Sequence, residues 1–568
     1  MDRRVVLAIV LMMAVAILPS LFYKPVKRPA ARTSGRTDSV ASRAEATPPV
    51  IGATPALPPA PIARIDGLPE DTVTVSSALY RYAFSTRGGR MIEATLLRYR
   101  SMRPDERGLP AQLLAPGSQL LGLGLLVGRD TVWLRDWSFT PSARQLSVTT
   151  PETLTLSAQG GAAGGGAGVA VTLTYTFRPD DYLIDVAGKV EGLGPEGATV
   201  LVGMGPGLRN TEADSVEHLR ELGLVVKSDK AAITRFGKLK PRQPLAFNGP
   251  FEWVAVKSKY FVTALLALDT TGTGRNGGIS GASAVSTDTL NRSHAEAVIT
   301  AGLPVPGAGG FRYQLYAGPL EYPRLRAIGH DFDDVNPYGW PGMRTIIRPV
   351  ALGARSLLVW LHDSLGLAYG VGLVLFGIVI RLVLWPLNQK AMRSTMAMQA
   401  VQPLMKELQE KYKNDPQKLQ QEMFKLYKEH NVNPFGGCWP MLLPWPILLA
   451  FFFVFQNTIE LRGASFLWLP DLSRPDPLYI IPVVMGISMF ALSKIGQLGM
   501  EPNPQMKMML YMMPAMMTFL FLRFASGLNL YYTVMNLASL PQQLMLSRER
   551  VKRGAVAPPP PVAKKRQR

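Results

Sequence analysis

Arg381 is the residue whose setting most constrains its chemistry. It sits in Gly370-Val-Gly-Leu-Val-Leu-Phe-Gly-Ile-Val-Ile-Arg381-Leu-Val-Leu-Trp-Pro386, a run otherwise suited to lipid. A guanidinium keeps its charge, so it cannot enter hydrocarbon by becoming neutral. At mid-membrane it costs about 2.5–3.5 kcal/mol on insertion scales. A cation held there predicts water or polar partners inside the protein, that is, a hydrated cavity within the bilayer. Snorkelling from a helix end is the plainer alternative, and Pro386 close behind leaves it open. Polar Gln456, Asn457, Asn529 and Asn536 lie in or at the ends of two other apolar stretches. They are candidates for lining the same cavity or for bonding helix to helix.

Other chemistry is sparse. Gly160-Gly-Ala-Ala-Gly-Gly-Gly-Ala-Gly168 has no following Lys-Ser/Thr, so it is not a phosphate-binding loop and reads as a hairpin tip. No other nucleotide motif is present. His218, His294 and His330 are scattered without metal-ligand spacing, and the single cysteine, Cys438, excludes a cysteine cluster or an internal disulfide. No cofactor and no catalytic constellation is expected.

The elements that must position Arg381 follow from hydropathy. The chain has 568 residues, 47% hydrophobic, with a net charge of +20. Its apolar residues gather near the N-terminus and in the last third. Residues 1–23 read as a transmembrane signal anchor, because Val5 to Phe22 is almost wholly apolar and lacks a cleavage pattern. Residues 24–65, rich in Pro, Ala, Ser, Thr and Arg, read as a disordered linker.

Residues 66–335 show a period of two. Val169, Val171, Leu173, Tyr175 and Phe177 alternate, Arg178-Pro-Asp-Asp181 turns, and Tyr182, Ile184 and Val186 resume. Tyr80, Tyr82 and Phe84 alternate likewise before Arg87-Gly-Gly-Arg90. A large antiparallel β-sandwich is the fold this predicts.

Residues 336–363 predict an amphipathic helix, lying in the membrane interface or on the surface of a soluble part. Its apolar stripe holds Met343, Ile346, Ile347, Val350, Ala354, Leu357 and Leu361, with Arg344, Arg348 and Arg355 on the other side. Pro349 should kink that helix or start it. The membrane core, 364–547, holds five apolar stretches at roughly 366–387, 439–460, 477–496, 506–523 and 527–546. With the first segment they make six transmembrane helices. Six Met between Met508 and Met517 suit varied apolar contacts or gap filling.

Between the second and third spans, 388–437 predicts a helical hairpin. Val401, Leu404 and Leu408 mark one helix and Leu419, Met423 and Leu426 the other, with Asp415 as N-cap and Pro416 at the first helical position. This segment carries eight Lys/Arg against five Asp/Glu, and 548–568 carries eight Lys/Arg against one Glu. Both lie on one side of the six-span arrangement, as do Arg3 and Arg4, which places hairpin, tail and N-terminus in the cytoplasm and the β domain in the periplasm.

Four motifs in the last third go further. Ile380-Arg381-Leu-Val-Leu-Trp-Pro386-Leu, Asn433-Pro-Phe-Gly-Gly-Cys-Trp-Pro440, Phe466-Leu-Trp-Leu-Pro-Asp-Leu472 and Ser526-Gly-Leu-Asn-Leu-Tyr-Tyr-Thr-Val-Met-Asn536 occur in that order. Together they resemble the YidC/Oxa/Albino family of membrane-protein insertases over about residues 336–548. Phe84-Ser-Thr-Arg-Gly-Gly89 extends the likeness to the β domain and to the layout of the bacterial members. The resemblance implies a supersandwich fold for that domain. It also implies that Arg381 lies in a hydrophilic groove open to cytoplasm and lipid, with Tyr532 joining Gln456, Asn457, Asn529 and Asn536 as groove residues. Pro444 and Gly377 depart from the pattern, standing where a glutamine often and a threonine sometimes occurs.

The resulting expectation is an inner-membrane insertase that takes hydrophobic segments of nascent proteins from the cytoplasm, alone or with the Sec translocon. Lys406, Lys411, Lys418 and Lys425 of the hairpin are expected to meet clients or partners. Lys564, Lys565, Arg566 and Arg568 of the tail are expected to meet the ribosome or anionic lipid. The β domain, lacking chemistry, is expected to be dispensable for the core reaction. A secondary transporter holding an anionic solute on Arg381 is the alternative; such proteins show internal repeats, and none is evident here.

Overall fold

Strict alternation makes the strand Val169–Phe177, whose Val171, Leu173, Tyr175 and Phe177 are buried. It pairs antiparallel with Leu183–Glu191, so the predicted hairpin forms around Arg178–Asp181. Nine strands continue this sheet, in the order Ala231–Arg235, Gly223–Lys227, Trp253–Lys257, Phe261–Ala267, Gly310–Pro319, Leu183–Glu191, Val169–Phe177, Glu152–Gly160, Thr140–Pro141. This computed structural model describes residues 71–160, 168–193, 197–267, 278–287, 296–305, 309–340, 342–386, 388–389, 401–430, 444–498 and 504–554. All of them belong to one compact unit, Ile51–Arg568. The expected anchor 1–23, linker 24–65 and the tail beyond Gly554 lie outside the described residues.

A five-stranded sheet (Pro110–Gln112, Met91–Arg100, Tyr80–Ser85, Thr72–Ser76, Gln145–Ser147) and a six-stranded sheet built around Ala297–Val305 share a core with the first. Aromatic rings join the layers: Phe84 meets Tyr175 at 5.1 Å and Tyr82 meets Phe177 at 6.4 Å. The sheets are antiparallel except at one edge, where Thr72–Ser76 runs parallel to Gln145–Ser147. The turn after Phe84 needs glycine. Gly88 has φ 78°, and a Cβ there would lie 2.9 Å from the Arg135 carbonyl oxygen.

Helices α1 (Ser215–Glu221) and α2 (Tyr322–Ile328) edge the β domain. Helix α3 (Arg344–Leu365) forms within the segment expected to be an amphipathic helix, with two corrections. Pro349 neither starts nor ends it, since the helix begins five residues earlier. Arg344, Arg348 and Arg355 do not form a water-facing row. Arg344 pairs with Asp334, Arg348 with Asp333, and Arg355 is buried against Glu460. Periodicity could place these arginines on a face but could not see the acids that meet them. The buried side is Ile347, Ala351, Ala354, Arg355 and Leu358, whereas Met343, Ile346, Leu357 and Trp360 are exposed.

The remaining helices are α4 (Tyr369–Val383), α5 (Gln402–Lys411), α6 (Pro416–Glu429), α7 (Pro444–Asn457), α8 (Ile480–Gly496), α9 (Pro504–Phe521) and α10 (Ser526–Gly554). Asp415 caps α6, accepting from the Lys418 amide at 3.0 Å, with Pro416 in the first turn. Each apolar stretch of the last third therefore contains a helix. Among the described residues, however, no helix is long and apolar enough to cross a membrane. The 15 residues of α4 rise only ~22 Å against a ~30 Å hydrocarbon core.

The segment after α7 fastens the helices to the β domain. Arg462, 3% exposed, grips Glu212 with Nε 3.0 and 2.9 Å from its two oxygens. It also donates to the carbonyls of Arg100 (2.8 Å) and Thr211 (3.0 Å) and lies 5.3 Å over the Phe261 ring. Ile459, three residues earlier, is counted in the β-domain core. Lys257 donates to Asn336 Oδ1 at 2.9 Å, and Asn336 donates to the Asn457 carbonyl at 3.3 Å. The β domain is thus a docked part of the bundle, which bears directly on its expected dispensability.

Two outcomes follow from this junction. Arg462→Ala leaves Glu212 uncompensated at 12% exposure and should destabilise the docked state by about 3–5 kcal/mol. The pair Arg462→Met with Glu212→Leu should recover much of that loss, read by thermal unfolding of the purified chain and protease access at 458–462. Burial pushes the Lys257 amine down from 10.5 to about 8. Between these values the unfolded chain holds the proton that the folded chain has released, so stability rises with pH across that window. Below about pH 8 both states are protonated and the dependence ends. Thermal unfolding at pH 8 and pH 10 should show a gain of about 2 kcal/mol that Lys257→Met abolishes.

Candidate functional site around Arg381

Arg381 stands in the last turn of α4, half-buried against α10. Its partner is not an acid. Nη2 donates to Gln542 Oε1 at 2.7 Å, and Gln542 Nε2 donates to the Trp385 carbonyl at 3.0 Å. Arg381 Nε is buried without a hydrogen-bond partner among the described residues. No carboxylate of the described residues is within ion-pair distance of this guanidinium, in contrast to Arg355 and Arg462.

The close approach of α4 and α10 depends on Gly377. A Cβ there would lie 3.0 Å from Val534 Cγ1. A larger residue at 377 would press on Val534 and require that side chain to give by a few tenths of an ångström. Next to it, Phe376 meets Phe451 at 5.0 Å and Phe451 stacks on Tyr531 at 4.2 Å. These rings pack with Ala450, Val454 and Phe455 in the buried core of the helical bundle. On its outer side α4 exposes Leu375, Ile378, Val379, Leu382 and Val383.

The other expected groove residues are not gathered around Arg381. Asn536 donates to Ser488 Oγ at 3.1 Å and joins α10 to α8. Asn529, fully buried, donates to the Phe521 carbonyl at 3.0 Å, closing the corner after α9. Tyr532 packs edge-on against Phe521 at 5.5 Å. Asn457 donates to the Pro337 carbonyl at 2.9 Å and serves the β-domain junction. Gln456 lines a cavity of about 50 Å³ at that same junction, with Glu217, Lys259, Ser473 and Arg523. Distance along the helix separates Asn529, thirteen residues from Gln542 on α10, ~20 Å at 1.5 Å per residue, whereas Asn536 is turned toward α8.

Gln542 is what the sequence reading missed. Its signal was available, since Pro541-Gln-Gln543 interrupts the last apolar stretch. Nothing in one sequence, however, says which polar residue of α10 faces Arg381.

In the hairpin, Lys411 and Lys418 flank the Tyr412 ring at 5.4 and 6.0 Å, and Lys425 pairs with Glu422 at 2.6 Å. Helices α5 and α6 leave a groove of about 260 Å³ over Leu404, Leu408 and Leu426. The side chains of Lys406 and Pro444, the motif 433–440 and Lys564, Lys565, Arg566 and Arg568 lie outside the described residues.

Comparison with known proteins now decides the family. Residues 72–351 match the YidC periplasmic domain, and residues 360–553 match the family described as 60Kd inner membrane protein. A relative from Chlorobaculum tepidum, named membrane protein insertase YidC, is 31% identical over 96% of this chain and 95% of its own length. The chain belongs to the YidC family of membrane protein insertases. A Syntrophus aciditrophicus relative of the same name is 29% identical over 97% of this chain and 100% of its own. A solved active YidC insertase is similar over 85% of this chain and 94% of that one, at 20% identity and a TM-score of 0.33. Membership makes this an inner-membrane protein whose three-sheet region is its periplasmic domain.

Proposed function

We propose that this chain receives hydrophobic segments of nascent membrane proteins beside Arg381 and releases them sideways into the inner membrane, alone or with the Sec translocon. The observation that carries the reading is a guanidinium held by a neutral amide. It retains its full charge next to an apolar helix face. An acidic flank of a client is attracted there, while its apolar part leaves along Leu375, Val379 and Leu382. Each buried CH₂ contributes ~0.8 kcal/mol to that partition. The packed rings of Phe376, Phe451 and Tyr531 support closure toward the periplasm.

Six spans complete the proposal: residues 1–23 and the stretches containing α4, α7, α8, α9 and α10. Helical hydrogen bonding continues past α4, from Leu384 to Ile380 and from Asn388 to Leu384, each at 2.9 Å. Residues 369–386 would then rise ~27 Å, close to the ~30 Å of the hydrocarbon core. Exposed Val483, Val484 and Ile487 on α8 and Met509, Met512, Met516 and Phe519 on α9 also favour lipid contact. In this arrangement both termini, the hairpin lysines and the tail cations Lys564, Lys565, Arg566 and Arg568 serve the cytoplasmic side. The hairpin meets clients or partners, and the tail meets ribosome or lipid.

Arg381→Lys should keep most insertion in proteoliposomes, whereas Arg381→Ala should lose about tenfold for clients with acidic translocated segments. Full insertion of such clients by the alanine variant refutes the groove-cation role. Topology is read by impermeant thiol labelling. A cysteine at Asp181 should react from the periplasmic side, and cysteines at Lys418 and Lys565 should not.

A further inference from the structure

Gln542 occupies a position that few side chain types could fill. It is 1% exposed, so both ends of its amide must find partners within the protein. Both do: Oε1 accepts from Arg381 Nη2, and Nε2 donates to the main-chain oxygen of Trp385. Arg381 and Trp385 are one helical turn apart, so one planar amide reads a side chain and a carbonyl of the same turn.

Substitutes fail for stated reasons. Glutamate could accept from Arg381 but would turn an oxygen toward the Trp385 carbonyl, and its charge would neutralise the guanidinium. Lysine offers only donors. Leucine would leave the Trp385 oxygen and one guanidinium nitrogen without these partners. Of the five N–H donors on Arg381, the amide engages one, and Nε is buried and unpaired among the described residues.

We infer that Gln542 is the positioning residue of the groove: it fixes the Arg381 guanidinium while leaving its charge and spare donors to the acidic flank of a client. This rests on the function proposed above and adds to it the reason the cation is available. Arg355 and Arg462 show the contrast. Each is met by a carboxylate and is thereby committed to the fold.

Two measurements on the full chain test the inference. The first involves no client: modification of Arg381 by phenylglyoxal in detergent, read by mass spectrometry. Gln542→Leu should speed it about tenfold, as expected when a hydrogen bond to a charged group is lost. Equal rates in wild type and variant overturn the positioning role. The second uses Gln542→Glu, which is nearly isosteric. The readout is insertion of a client with an acidic translocated segment relative to the same client with those acids changed to amides. That ratio should fall about tenfold, and Arg381 modification should slow. A ratio that falls in Arg381→Ala but not in Gln542→Glu overturns this inference. A ratio unmoved in both variants is the failure of the groove-cation reading itself.

Discussion

A guanidinium cannot be neutralised by burial, and this constraint organises the helical part of the molecule. Three arginines are taken out of water there, and each is met differently. Arg462 is matched by Glu212 and two carbonyls, and Arg355 by Glu460. Arg381 is matched by the amide of Gln542. The first two ion pairs cancel charge and hold elements together. The third contact orients a charge without cancelling it. Separating buried cations that stabilise from one that can act requires the partner's identity, not the burial alone.

The same residues tie the two halves of the chain. Thr458 to Arg462 lies between α7 and the rest of the bundle, yet Ile459 packs in the β-domain core and Arg462 reaches Glu212. The acids Asp333 and Asp334, at the C-terminal end of the β domain, hold the first turns of α3 through Arg348 and Arg344. The β domain therefore constrains where α3 begins and α7 ends. The β domain can thereby matter to the site by fixing those helices. Deleting it would also strand Arg462 without its partners.

Much of the fold was legible in the sequence. The alternation at 169–186, the capped start of α6 at Asp415 and the helices at the apolar stretches of the last third follow from local rules. The candidate site was legible only at its centre. Arg381 announces itself because a lone cation among apolar residues violates the local pattern. Asn529, Asn536, Gln456 and Asn457 violate it too, but each satisfies a helix corner, a helix pair or the junction to the β domain.

The sequence by itself determined which segments are strands, which are apolar helices, and that one arginine needs a polar surrounding. Those properties depend on residue type and spacing within a few turns. The tertiary structure alone decided that Gln542 faces Arg381, that Arg355 and Arg462 are spent on ion pairs, and that Gly377 lets two helices touch. Their partners lie 161, 105 and 250 residues away for the three arginines, and contacts at such separations leave no periodic trace along the chain.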